Sequence, residues 1–88
     1  MKREEVYKVI DTERDYQDKK WGNTLSGGRP GNGERTVDEF ILYISGYSDK
    51  TKAFAAEFAD TEKKLDMIRK VAGLCVACME QHGALKRE

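Results

Sequence analysis

Apolar residues recur at helical spacing in three separate stretches of the chain. Over residues 3–20, Val6, Ile10, Gln17 and Trp21 fall near one stripe, with Val9 and Tyr16 beside it and charges on the other faces. Gly22 stops this helix. Phe40, Ile41, Ile44, Tyr47, Phe54 and Phe58 give a second helical period over residues 37–58. Thr36-Val37-Asp38-Glu39 has the form of a capping box, with Thr36 as N-cap and Glu39 reaching back from the third position. Ser45-Gly46-Tyr47-Ser48-Asp49, in the middle, has low helix propensity, and a kink or a close backbone contact is expected there. The third helix, over residues 61–82, is capped by Asp60 or Thr61. Its seam reads Leu65, Ile68, Val71, Ala72, Cys75, Cys78, Met79 and His82, and Gly83 is a suitable stop.

Between the first two helices, residues 22–35 hold five of the eight glycines and the only proline, Pro30. No helical or strand period survives there, so a loop is expected. A loop of this length in so small a chain points to function or disorder. The connection near residues 58–61 is too short for anything but an antiparallel turn. The expected fold is therefore all-α and a single domain over residues 1–88. Two long helices form an antiparallel hairpin, with a shorter N-terminal helix packed on it.

Composition narrows the function classes. The chain has 88 residues, with 16 basic and 16 acidic side chains and one histidine. A balanced charge argues against a protein that coats DNA, which needs a basic excess. No apolar run reaches the roughly 18–20 residues of a membrane span, and the start of the chain lacks the apolar core of a secretory signal. Two cysteines three residues apart make no disulfide framework. These features lead us to expect a reduced, intracellular chain with no membrane or DNA partner. A chain this short has a thin core of its own, and without disulfides or an evident metal site, homo-oligomerisation is the expected remedy. The charge is also uneven. Residues 19–35 carry Lys19, Lys20, Arg29 and Arg35 against Glu34 alone, which places positive potential on the glycine-rich loop.

Several patterns carry candidate chemistry. Cys75, Cys78 and His82 lie within about 60° of one helix face, a spacing that suits three zinc ligands. The same face carries Ile68, Val71 and Met79, and core packing is the simpler reading. Glu57 and Asp60 form an E-x-x-D, one half of the magnesium-binding pattern of all-α nucleotide pyrophosphohydrolases of the MazG type. The other half is missing, because neither Asp38-Glu39 nor Glu4-Glu5 has the acidic partner it needs. Glu57, Asp60 and Asp38 remain the candidates for that reading. The stretch Glu13-Arg14-Asp15-Tyr16-Gln17-Asp18-Lys19-Lys20-Trp21-Gly22 ends a helix with two cations and an aromatic ring before the basic loop. Cations hold phosphates, Tyr7, Tyr16 or Trp21 can stack on a base, and glycine lets backbone N–H groups approach a ligand. Adjacent helical residues diverge by about 100°, so only one of Lys19 and Lys20 is expected to face a pocket. Arg69 and Lys70 sit mid-helix among apolar neighbours. Either one turned toward a symmetry axis would need an anion to neutralise it.

This Glu13–Gly22 stretch, together with Asp38-Glu39-Phe40-Ile41-Leu42-Tyr43-Ile44, Leu65-Asp66-Met67-Ile68-Arg69-Lys70-Val71-Ala72 and Cys78-Met79-Glu80-Gln81-His82-Gly83, resembles a family of small tailed-phage proteins. That family includes the anti-CBASS cyclic-oligonucleotide sponges. The resemblance implies a helical homohexamer in the cytoplasm of the host bacterium. It implies binding of cyclic dinucleotides such as cGAMP, and of cyclic trinucleotides, without cleavage or cofactor. Dinucleotide pockets between protomers would use Tyr7 for stacking and Lys19, Lys20 and Trp21 as the wall. The loop would be the lid, contributing Ser26, Gly27, Gly28 and Arg29. Trinucleotide pockets near a three-fold axis would use Arg69. Two rivals stand beside this reading: a magnesium-dependent pyrophosphohydrolase, and a module that binds a host protein through its hairpin.

Overall fold

The computed structural model describes residues 1–21, 35–57 and 60–88. The described residues form three helices and no strand: α1 (Arg3–Trp21), α2 (Val37–Ala56) and α3 (Thr61–His82). Local chemistry sets their ends. Glu4 and Glu5 lie in the first turn of α1 and Lys19 and Lys20 in its last, each complementing the helix dipole. At α2 the Thr36 hydroxyl accepts from Glu39 N–H, and the Glu39 carboxylate accepts from Thr36 N–H, both at 3.1 Å. Asp60 caps α3, accepting from Lys63 N–H at 2.8 Å. Gly83 ends α3 at a φ of 97°, a conformation that favours glycine, and its N–H reaches Met79 O.

Helix α3 is the central element, packing on α2 along one side and on α1 along the other. The hairpin is antiparallel. The Phe40 ring, near the start of α2, meets the His82 ring, at the end of α3, edge to face at 6.3 Å. At the other end Phe54 and Met67 border a common cavity. The His82 ring also bonds across the hairpin, with Nε2 at 2.6 Å from Arg35 O, a geometry that requires the proton on Nε2.

The core differs from the seams read in the sequence. Among the described residues the buried apolar side chains are Phe40, Met67, Leu74 and Ala77. Leu65 and Ile68, expected in the α3 seam, are 57% and 54% exposed, and Met79 is exposed as well. Apolar residues occupy two faces of α3, and the face turned inward carries Met67, Leu74 and Ala77. On α1 the stripe has the expected phase but different contents. Ile10 is half-buried, Val6 and Val9 are exposed, and the buried residues are Glu13, Arg14 and Gln17.

That polar face crosses α3 at a glycine. A Cβ on Gly73 would lie 2.6 Å from Gln17 Nε2 and 2.8 Å from Glu13 Cγ, so only glycine admits α1 this closely. Gln17 donates to Glu13 Oε2 and to Lys70 O, both at 3.2 Å. Arg14 donates to Glu80, Asp18 and Gln17. Neither the kink nor the close backbone contact expected around Gly46 is present, and the glycine that is closely approached is Gly73, by the Gln17 and Glu13 side chains. An added Cβ at Gly46 would meet nothing within 4 Å, and α2 runs through that position as unbroken helix.

Candidate ligand-binding site

The C-terminal end of α1 and the middle of α2 and α3 share one crevice. Glu13, Tyr16, Gln17, Lys20, Tyr47, Lys70 and Leu74 line it, over a volume of about 50 Å³. Three helical turns produce this meeting. Tyr16 and Lys20 are four apart on α1, which puts them on one face. The Lys20 ammonium lies 5.9 Å from the Tyr16 ring centre, within cation–π range. Of the two adjacent lysines, Lys20 faces this crevice and Lys19 does not.

Tyr7 is 60% exposed and stands thirteen residues before Lys20 on the same helix. At 1.5 Å per residue that is roughly 20 Å of helix axis. One protomer therefore does not bring Tyr7 and Lys20 together around a single base. Trp21 closes α1, and its side chain lies outside the described residues, as do Ser26, Gly27, Gly28, Arg29 and the rest of residues 22–34.

Arg69 lines an adjoining cavity with Val9, Thr12 and Asp66, and that cavity shares Glu13, Tyr16 and Lys70 with the crevice. The Arg69 guanidinium pairs with Glu13 Oε1 at 2.8 Å and with the Asp66 carboxylate. Carboxylates of its own chain thus supply the neutralising charge. The hydrogen bond that Arg69 donates to Glu13, outweighing partial burial and reinforced by Asp66, raises the Arg69 pKa above its ordinary value. Burial works against the Asp66 carboxylate, but the hydrogen bond from Lys70 and the charges of Arg69 and Lys70 hold its pKa below 3.8.

A second cavity, about 350 Å³, lies where α2 faces solvent next to α3. Phe40 and Leu74 form its floor and Tyr43 and Tyr47 its wall, with Arg35 and Lys50 at the rim. Arg35 sits 4.5 Å from the Tyr43 ring centre and donates from Nη1 to the Tyr43 hydroxyl at 2.9 Å. Lys50 sits 4.8 Å from the Tyr47 ring centre. The sequence reading passed over this group, taking Tyr47 as core and counting Arg35 only as loop charge. The signal was present in Tyr43, Tyr47 and Lys50, which recur at i, i+4 and i+7 along one face of α2.

The other motifs are placed as follows. Cys75 and Cys78 are half-buried and free, and burial, with a smaller contribution from Cys78, pushes the Cys75 thiol up. His82 is turned to Arg35 O. Glu57 ends α2 and Asp60 caps α3, so this E-x-x-D spans the connection between two helices and does not share one helix face. Among the described residues no three His, Cys, Asp or Glu side chains converge as a metal site. No described helix is long and apolar enough to cross a membrane. Compared with protein families, characterised proteins and solved structures, the chain has no match.

Proposed function

We propose that this chain is a phage anti-defence protein that sequesters cyclic oligonucleotides and thereby deprives the CBASS effectors of an infected bacterium of their activator. The reading rests first on the resemblance of the Glu13–Gly22, Asp38–Ile44, Leu65–Ala72 and Cys78–Gly83 stretches to the tailed-phage sponge family. The structural observation that carries it is the crevice in which Tyr16 and Lys20 of α1 meet Tyr47 and Lys70. Rings for stacking and ammonium groups for phosphates converge there, and the one carboxylate in the lining, Glu13, is already paired with Arg69 and Gln17. Binding needs no more than this, and the ligand leaves unchanged.

The site is completed by a second copy of the chain. A single protomer offers about 50 Å³ in this crevice, far below the roughly 300–1,000 Å³ of small-molecule sites. Tyr7 and Lys20, roughly 20 Å apart on one helix, serve one ligand only if they come from two protomers. The apolar residues left on the surface supply the means of association. Leu65 and Ile68 on α3, Val6 and Val9 on α1, and Ile41 and Leu42 on α2 are all exposed. A homohexamer with dinucleotide pockets between protomers, and with Arg69 serving trinucleotides near a three-fold axis, is the arrangement proposed. There Arg69 exchanges its pairing with Asp66 for a ligand phosphate.

The reading is tested by depletion. Excess protein is mixed with cGAMP or with a cyclic triadenylate, and the free nucleotide is measured after ultrafiltration. Sequestration removes nucleotide from the filtrate, and heating returns it intact. Nucleotide left in the filtrate at full concentration refutes the reading, and linear products after heating point instead to the pyrophosphohydrolase.

A further inference from the structure

We infer that the cavity on α2 is a binding site for a nucleoside monophosphate or a similar planar aromatic phosphate, separate from the α1 crevice. Its volume, about 350 Å³, falls in the range of small-molecule sites. Its chemistry is divided in the way such a ligand requires. Phe40 and Leu74, buried in the protomer, give an apolar floor. Tyr43 and Tyr47 give an aromatic wall with Leu42 beside them, and Arg35 and Lys50 bring two cations, with no carboxylate among the described lining residues. The open cavities along α3 differ in this respect, since Glu13 and Asp66 line one and Asp60, Glu62 and Asp66 the other. Arg35 also pairs with Glu39 at 4.0 Å, so among the described residues Lys50 is the cation here with no carboxylate against it, and its place beside the Tyr47 ring suits a flat anion.

Gly46 keeps this cavity open. It lies among the lining residues, and a Cβ built on it meets no atom within 4 Å. Glycine in a helix interior is ordinarily unfavourable, and no neighbouring backbone requires it here. Its effect is to leave room between Tyr43 and Tyr47. The tyrosines are held in place beforehand, because each already carries a cation, at 4.5 Å for Arg35 and 4.8 Å for Lys50. Little ordering is then needed when the ligand arrives.

The cavity abuts the α1 crevice through Tyr47 and Leu74, but Lys20 belongs to the crevice alone and Arg35, Gly46 and Lys50 to the cavity alone. The two sites can therefore be tested separately. Isothermal titration of the full chain with AMP, adenosine and inorganic phosphate is the experiment. AMP binds saturably, and adenosine and phosphate alone bind more weakly. Gly46→Phe fills the cavity and abolishes AMP binding, with melting temperature and helical content unchanged or raised. Lys50→Ala, at an exposed position, weakens AMP by about tenfold, the lower end of what a charge-assisted contact supplies. Lys20→Ala leaves AMP binding intact even if it abolishes capture of cGAMP. The inference is overturned if AMP fails to bind at millimolar concentration, or if it binds equally well to the folded Gly46→Phe and Lys50→Ala variants.

Discussion

Gly46 and Gly73 both lie inside helices, where replacing glycine by alanine ordinarily gains about 0.5–1 kcal/mol. The structure predicts opposite outcomes for the two. At Gly46 the new methyl group enters open space, so Gly46→Ala gains the full helix-propensity term. At Gly73 the methyl group would stand 2.6 Å from Gln17 Nε2. Gln17 is only 2% exposed, and its amide is held at both Glu13 and Lys70 O. Moving it aside leaves buried polar groups unpaired, at about 1–3 kcal/mol, while leaving it in place overpacks the crossing at a similar cost of about 1–3 kcal/mol. With the propensity gain subtracted at the middle of each range, Gly73→Ala loses about 1 kcal/mol. For a domain of this size each kcal/mol moves Tm by about 4–8 °C. Thermal melts followed by circular dichroism, at one fixed concentration because self-association shifts Tm, then show Gly46→Ala above the parent and Gly73→Ala about 4–8 °C below it. Gln17→Ala in the Gly73→Ala background removes the obstructing amide and restores part of the loss. A Gly73→Ala protein as stable as Gly46→Ala refutes the close crossing of α1 over α3.

Three further perturbations test other parts of the fold. Thr36→Ala removes one half of the α2 capping box and costs about 1 kcal/mol, read as a lower urea midpoint. Arg69→Gln leaves Glu13, 5% exposed, without its cation. Losing a buried partner costs about 3–5 kcal/mol, and because the Arg69 side chain is 37% exposed, water reduces the expected loss to about 1–3 kcal/mol. Adding Glu13→Gln recovers most of that loss, whereas additive losses in urea melts contradict the pairing. The Asp66 pKa lies below its ordinary 3.8, so its contribution is complete above that pH and disappears as pH falls through the lower folded value. Asp66→Asn accordingly changes stability by less than about 1 kcal/mol at neutral pH and flattens the decline in acid. An acid limb identical to that of the parent contradicts this assignment.

The helices and their ends were legible because their causes are local. The Thr36–Glu39 box, the Asp60 cap and the Gly83 stop each depend on residues within one turn, and each forms where the sequence placed it. The inward faces were less legible because they are settled between helices. α3 is apolar on two sides, and its pattern alone does not choose Met67, Leu74 and Ala77 over Leu65, Ile68 and Met79. The choice follows from α2 and from α1, which docks through Gln17, read on its stripe, and through Glu13 and Arg14, charged residues that a search for apolar stripes assigns to solvent. The two mid-helix glycines were distinguished only by their neighbours, a buried amide at Gly73 and open space at Gly46. At the candidate site, the Tyr16–Lys20 spacing was readable as a helix face. Its convergence with Tyr47 and Lys70 depends on tertiary contacts, and so does the grouping of Arg35 with Tyr43, Tyr47 and Lys50.

Native mass spectrometry with and without cGAMP tests the proposed sequestration most directly. The account predicts a homohexamer that gains ligand in whole-number steps, with intact nucleotide recovered on denaturation and the gain lost in Lys20→Ala. A mass that never shifts with cGAMP or a cyclic trinucleotide contradicts it.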